Sequence, residues 1–234
     1  MHNKDLSVFM QTIGYDFKDI SLLEVALTHS SYANEQKKGM CVDNERMEFL
    51  GDAVLELSSS DYIYKNHSEM AEGKMTRLRA SIVCEPTLAL CARAIKLDTF
   101  IRLGKGEELT GGRSRDSIVS DACEAVIGAI YLDGGFANAK EFVNKFILND
   151  LDNKKLFFDS KTILQEVIQG LGKEVDYEFI GEEGPEHNKQ FVVVDGLFNI
   201  KGTGHTKKSA SQNAAYAALI ELKNKGYDIN SDKK

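Results

Sequence analysis

The chain has 234 residues, 42% of them hydrophobic and 28% charged, with a formal net charge of −7. That length allows one large domain or two small ones with a real core, and no apolar run approaches the ~20 residues of a membrane-spanning helix. The acidic balance excludes a broad basic footprint of the kind that grips nucleic acid by charge alone. A nucleic-acid partner would have to rely on bound cations or a few placed lysines.

Met1-His2-Asn3-Lys4-Asp5 lacks the basic and apolar regions of a signal peptide, so the expected compartment is the cytoplasm. Cys41, Cys84, Cys91 and Cys123 form no CxxC pair and no Cys/His finger spacing, and read as reduced thiols. Residues 1 to 150 carry apolar residues at helical spacing. The predicted helices run through Leu22–Leu27, Met47–Leu57, Leu78–Ile95, Ile118–Leu132 and Phe142–Leu148.

The second of these carries Asn44-Glu45-Arg46-Met47-Glu48-Phe49-Leu50-Gly51-Asp52-Ala53-Val54-Leu55, with Asp43 or Asn44 able to cap its start. Met47, Leu50, Gly51, Val54 and Leu57 form an apolar stripe, and Glu48 and Asp52, four apart, stack on another face. Phe49 lies far around the helix from that stripe, so it covers either a second small core or a partner chain. Farther along, Asp121 and Glu124 are three apart on one face, with Gly128 a turn beyond, where a second helix can approach. Like charges at these spacings weaken an isolated helix by a few tenths of a kcal/mol, and a hard cation reverses that sign. An all-oxygen set without His or Cys suits Mg²⁺, with Mn²⁺ as a substitute. A di-iron centre would want Glu-x-x-His, which is absent. Spacing alone leaves a solvated acidic face equally open.

The polar stretch 149–155 reads as a linker, giving boundaries of 1–150, a linker 151–158, a second domain 159–226 and a tail 227–234. The second domain has the order α-β-β-β-α: a helix from Lys161 to Gly170, β-like runs Val175–Phe179, Phe191–Val194 and Leu197–Ile200, and an alanine-faced helix from Lys207 to Lys223. Asp195-Gly196 is a hairpin signal. Lys207 and Lys208 stand in the first turn of the last helix, after Gly202-Thr203-Gly204 and the N-cap candidate Thr206. Two lysines there oppose the helix dipole unless an anion is bound, so the pair reads as a phosphate site or as plain solvated surface. Residues 159–234 hold ten lysines, no arginine and twelve acids, so binding would rest on placed lysines.

The segment from Asn44 to Leu55 resembles the hallmark of bacterial ribonuclease III. Leu27–Tyr32, Met75–Ala80 and Asp121–Gly135 resemble further blocks of that family in the same order. Thr162–Glu166, Gly184–His187, and Lys207-Lys208 followed by Gln212–Ala215 resemble a double-stranded-RNA-binding domain. The resemblance implies an all-α nuclease domain, acting as a homodimer, followed by a small α+β (α-β-β-β-α) double-stranded-RNA-binding domain. It implies metal binding by Glu48, Asp121 and Glu124, catalysis by Asp52 and Glu124, and a dimer interface near Glu45 and Phe49. It further implies minor-groove contacts from Gln165, Glu166 and the loop at His187, and phosphate contacts from Lys207 and Lys208. Leu103–Ser117, with Lys105, Arg113 and Arg115, resembles a loop that approaches the RNA near the cut.

The expected activity is hydrolysis of double-stranded RNA to 5′-phosphate and 3′-hydroxyl ends, on ribosomal RNA precursors and structured messenger regions. No membrane association and no organic cofactor are expected. The alternatives are a protein that binds duplex RNA without cutting, and a histidine-based ribonuclease. Intact acids argue against the first. Scattered His2, His29, His67, His187 and His205 argue against the second.

Overall fold

A computed structural model describes residues 6–36, 41–184, 190–204, 206–227 and 229. It divides into two compact units, Met1–Leu151 and Asp152–Lys234. No helix among the described residues is long and apolar enough to cross a membrane.

The first unit is helical: α1 Leu6–Ile13, α2 Ile20–Ala26, α3 Ser30–Glu35, α4 Glu45–Asn66, α5 Glu72–Val83, α6 Glu85–Ala94, α7 Lys105–Leu109 and α8 Asp116–Phe142. Its central pair is α4 and α8. Ala122, Ala125, Val126, Ile127, Ala129 and Ile130 of α8 are buried together with Met47, Val54, Leu55 and Ile63 of α4. Each large apolar side chain buried in this way contributes about 1.5–3 kcal/mol. At Gly135 the backbone of α8 leaves the helical region, with φ 78° and ψ 178°.

Three local features depart from the sequence expectations. The stretch Leu78–Ile95 is two helices, because Pro86 cannot sit inside a continuous helix; Cys84 is extended between them and Pro86 stands in the first turn of α6. Asn44 occupies the N-cap position of α4 without capping it: its side-chain amide donates to the Ala26 carbonyl (3.2 Å), while Asp43 accepts from the Glu45 amide (3.3 Å). Leu57 leaves the buried stripe. It is exposed, and Leu55, Ser58 and Ser59 are buried in its place.

In the second unit, the stretch expected to be a linker is a helix, α9 Leu151–Phe158. Leu156 is buried with the core of this unit, and Gln212 donates to the Phe157 carbonyl (3.1 Å). After α10, Ser160–Gly170, come β1 Tyr177–Glu183, β2 Gln190–Asp195 and β3 Ile200–Gly204 in a three-stranded antiparallel sheet of order β1-β2-β3, then α11 Lys207–Asn224. This is the α-β-β-β-α order the sequence predicts. The second hairpin, however, closes at Asp195 opposite Ile200, so Leu197 and Phe198 lie in a four-residue turn and pack on the core rather than forming strand. Asn199 takes the left-handed conformation there (φ 56°), which its short polar side chain tolerates. Helix α11 lies close on β3 because Gly202 has no side chain: a Cβ there would stand 2.2 Å from the Ala210 carbonyl oxygen. Ala210, Ala214, Ala215 and Ala218 form the buried face, and Ala217 stays half-exposed.

Candidate active site

Helices α4 and α8 cross at two glycines. A Cβ on Gly51 would stand 1.8 Å from the Glu124 carbonyl oxygen, and one on Gly128 would stand 2.4 Å from that of Met47. Backbone therefore meets backbone, and the acids flanking each glycine converge. Glu48, Asp121 and Glu124 each offer a carboxylate oxygen within 4.8 Å of the others. Asp52, one turn along α4 from Glu48, is close enough to raise the proton affinity of both Glu48 and Glu124.

The electrostatics follow from burial and like charge. Desolvation, then the charges of Asp52, Asp121 and Glu48, push the Glu124 carboxyl up to about 8. Desolvation and the neighbouring charges of Asp121, Glu45 and Asp52 raise Glu48. Desolvation also raises Asp121, against a Ser120 hydrogen bond and the His29 imidazole, which draw it down. Such a cluster favours bound protons, which a cation held by the same oxygens would displace. Its donors are all oxygens, half-buried and converging, so the set fits a hard divalent cation such as Mg²⁺ or Mn²⁺.

Two groups near this centre escaped the sequence reading. Glu85, at the start of α6, has its carboxyl raised by desolvation and by Asp116 and Asp121. His29 lies near enough to act on Asp121. Neither shares a helix with the acids, so no helical spacing pointed to them.

Phe49 is 80% exposed, and Glu45 is also exposed. Phe49, Ala53, Leu57 and Tyr64 follow one another along a single solvent-facing stripe of α4. Leu57 and Tyr64 line a cavity of about 410 Å³ between α4 and α5, with Met75, Thr76 and Arg79 on its other side.

The loop expected to approach RNA is internally neutralised. Arg113 donates to the carbonyls of Asp98 (2.7 Å) and Ile101 (2.9 Å) and pairs with Glu108. Arg115 pairs with Glu107 at 2.6 Å. Lys105 remains exposed at the start of α7.

In the second unit Gln165 and Glu166 are exposed on α10, away from buried Ile163, Leu164 and Ile168. Thr206 caps α11 in a reciprocal box with Ser209. Lys207 and Lys208 are exposed, and the Lys207 ammonium stands over the Phe179 ring, 4.5 Å from its centroid. His187 lies outside the described residues.

Comparison with known proteins agrees with this architecture. The Ribonuclease-III-like family matches residues 19–151, and the Double-stranded RNA binding motif matches residues 160–222. Ribonuclease 3 of Listeria monocytogenes serotype 4a is 47% identical over 218 residues, covering 91% of this chain and 95% of that protein. Ribonuclease 3 of Caldanaerobacter subterraneus subsp. tengcongensis is 48% identical over 226 residues, covering 93% and 98%. The nuclease domain of ribonuclease III from Campylobacter jejuni, a structure concerned with flexibility in a region involved in dimer formation, matches with a TM-score of 0.57 and 43% identity. It covers 61% of this chain and 96% of that one.

Proposed function

The chain belongs to the ribonuclease III family and is an endoribonuclease of double-stranded RNA; we propose that it cuts by metal-dependent hydrolysis at the Glu48–Asp52–Asp121–Glu124 centre. The observation that carries this reading is the convergence of Glu48, Asp121 and Glu124 oxygens within 4.8 Å at a backbone-to-backbone helix crossing. Glu48, Asp121 and Glu124 would hold Mg²⁺ or Mn²⁺. When bound, the ion supplies charge neutralisation at the phosphodiester and a lowered pKa for water. Asp52, on the same face of α4 as Glu48, completes the shell or orients the attacking water. Glu124, the most strongly perturbed of the raised carboxyls, is the residue whose charge depends most on the centre being loaded. In-line attack of water on phosphorus then leaves a 5′-phosphate and a 3′-hydroxyl.

Residues 1–150 are assigned to cleavage and dimerisation, and 159–226 to duplex binding. Gln165, Glu166 and His187 are read as minor-groove contacts, and Lys207 and Lys208 as phosphate contacts at a capped helix start. The exposed Phe49 and Glu45, on a partly apolar face of α4, support a homodimer in which a second copy covers that face. Each subunit would cut one strand. The same resemblance points to ribosomal RNA precursors and structured messenger RNA as substrates, and to the cytoplasm as compartment.

A paired substitution tests the division of labour. Glu124→Gln abolishes cleavage and leaves duplex binding intact, whereas Lys207→Ala with Lys208→Ala weakens binding and flattens its salt dependence by a slope of about 1–2. Cleavage that persists in excess chelator, or at full rate in Glu124→Gln, contradicts the assignment.

A further inference from the structure

Phe179 of β1 is a large apolar side chain that the core of the second unit leaves 42% exposed, whereas Tyr177, two residues earlier, packs on that core. The strand register shows which way Phe179 points. It pairs with Val193 of β2, and Val193 pairs with Gly202 of β3. Residues opposite one another in an antiparallel sheet share a face, and Gly202 faces Ala210 and Ala214 of α11. Phe179 is therefore turned to the helix side of the sheet, on an edge strand. Phe191 lies opposite Gly204, which also faces α11, and the rings of Phe179 and Phe191 are 6.0 Å apart.

The Phe179 ring meets an ammonium. Lys207 Nζ stands 4.5 Å from the ring centroid, within the ~6 Å over which the negative face of an aromatic ring attracts a cation. Lys207 is the first residue of α11, where the helix dipole opposes its charge. A lysine left free there would spread over many rotamers in solvent. A carboxylate could hold it but would cancel its charge; Lys201 is held in that way, by Glu183 at 2.6 Å. The ring holds Lys207 without a countercharge, and among the described residues Lys207 enters no ion pair. The ammonium keeps its full charge for an incoming anion. Lys208, equally exposed, has no ring beneath it among the described residues.

We propose that Phe179 is a positioning residue for duplex binding: its ring face holds the Lys207 ammonium, uncancelled, at the start of α11, where a phosphate of the RNA takes it. The two lysines then differ in kind. Lys207 is placed before RNA arrives, and Lys208 is ordered only on contact. The proposal deepens the reading of Lys207 as a phosphate contact and rests on it.

A double-mutant cycle separates this role from simple packing. Phe179→Leu keeps apolar bulk and loses the ring, and Phe179→Tyr keeps the ring. Binding of the full-length protein to a labelled RNA duplex is followed by fluorescence anisotropy in chelator, with melting temperatures measured alongside. Phe179→Leu weakens binding about three- to tenfold, Phe179→Tyr binds like the unaltered chain, and the melting temperature holds in both. In a Lys207→Ala background Phe179→Leu has no further effect, whereas in a Lys208→Ala background its full effect remains. A Phe179→Leu protein that binds like the unaltered chain, or that loses as much with Lys207 absent as with it present, overturns the proposal. If Phe179→Leu is unstable, the unaltered protein decides by nuclear magnetic resonance: Lys207 Hε protons shifted upfield by the ring support the contact, and shifts like those of Lys208 overturn it. A Lys207→Ala protein with unchanged affinity removes the phosphate reading and the proposal with it; a normal effect of Lys207→Ala with none of Phe179→Leu removes the proposal alone.

Discussion

At the scale of single residues, the centre is a store of protonation energy. Burial and three neighbouring acids hold the Glu124 carboxyl at about 8 instead of 4.5. A carboxyl raised on folding contributes stability below its unfolded pKa and loses that contribution as pH climbs through the folded one. For Glu124 the loss runs from about 4.5 to about 8. Glu48 and Asp121 are raised too and add to the effect in the same direction. On the proposed metal reading a divalent cation would replace the protons, so its stabilising effect would grow as they leave. The increase in melting temperature produced by Mg²⁺ is therefore expected to be larger at about pH 8.5 than at about pH 6, where protons compete with the ion. Melting curves in Mg²⁺ and in chelator at both pH values check this. Equal increments would mean that the carboxyls are not where the ion acts.

At the scale of elements, Glu48, Asp121 and Glu124 meet because two glycines let α4 and α8 touch. Gly51→Ala forces a methyl to within 1.8 Å of the Glu124 carbonyl oxygen. Overpacking of this kind costs about 1–3 kcal/mol, and more where backbone opposes backbone. A lowered urea midpoint together with weakened Mn²⁺ uptake is expected, because the same shift that relieves the clash separates Glu48 from Glu124. An unchanged midpoint would contradict the crossing.

The acid spacings, the glycine of the second helix and the outward Phe49 were all legible in the sequence, since each follows from helical period alone. So was the α-β-β-β-α order of the second unit. What escaped depended on tertiary choices. Leu57 faces out although its spacing matched the stripe, because α8 covers the side of α4 that holds Leu55 and Ser58. Asn44 gives up its cap to reach Ala26. Leu197 and Phe198 pack inward from a turn instead of extending a strand. Within the loop that resembles one approaching the RNA, Arg113 ties down the carbonyls of Asp98 and Ile101, which no local pattern records. His29 and Glu85 come to the centre from other elements, which no local pattern records.

At the scale of the whole molecule, an acidic chain must bind a polyanion. Net charge of −7 opposes that, and the paired arginines of the 103–117 loop add little free positive charge. On the proposed reading, attraction would fall to a loaded metal centre, to Lys207 and Lys208, and to pairing of two copies, which would double both. Phe49, 80% exposed, stands on the same outward stripe of α4 as exposed Leu57 and Tyr64, a partly apolar face of the kind an interface covers. Phe49→Ala is expected to shift the protein toward monomer, with a loss of about 2 kcal/mol or more in association if it is an anchor. Sedimentation velocity across a dilution series reads this directly; an unaltered dimer, or a parent chain already monomeric, would contradict the role of that face.

Hydrolysis of duplex RNA by water at a carboxylate-held divalent ion would leave its record in the ends of the products. A long RNA duplex incubated with the protein and Mg²⁺, followed by end-group analysis, is predicted to give 5′-phosphate and 3′-hydroxyl termini, with no products in chelator. Cyclic 2′,3′-phosphate or 5′-hydroxyl termini, or cutting that continues in chelator, would contradict it.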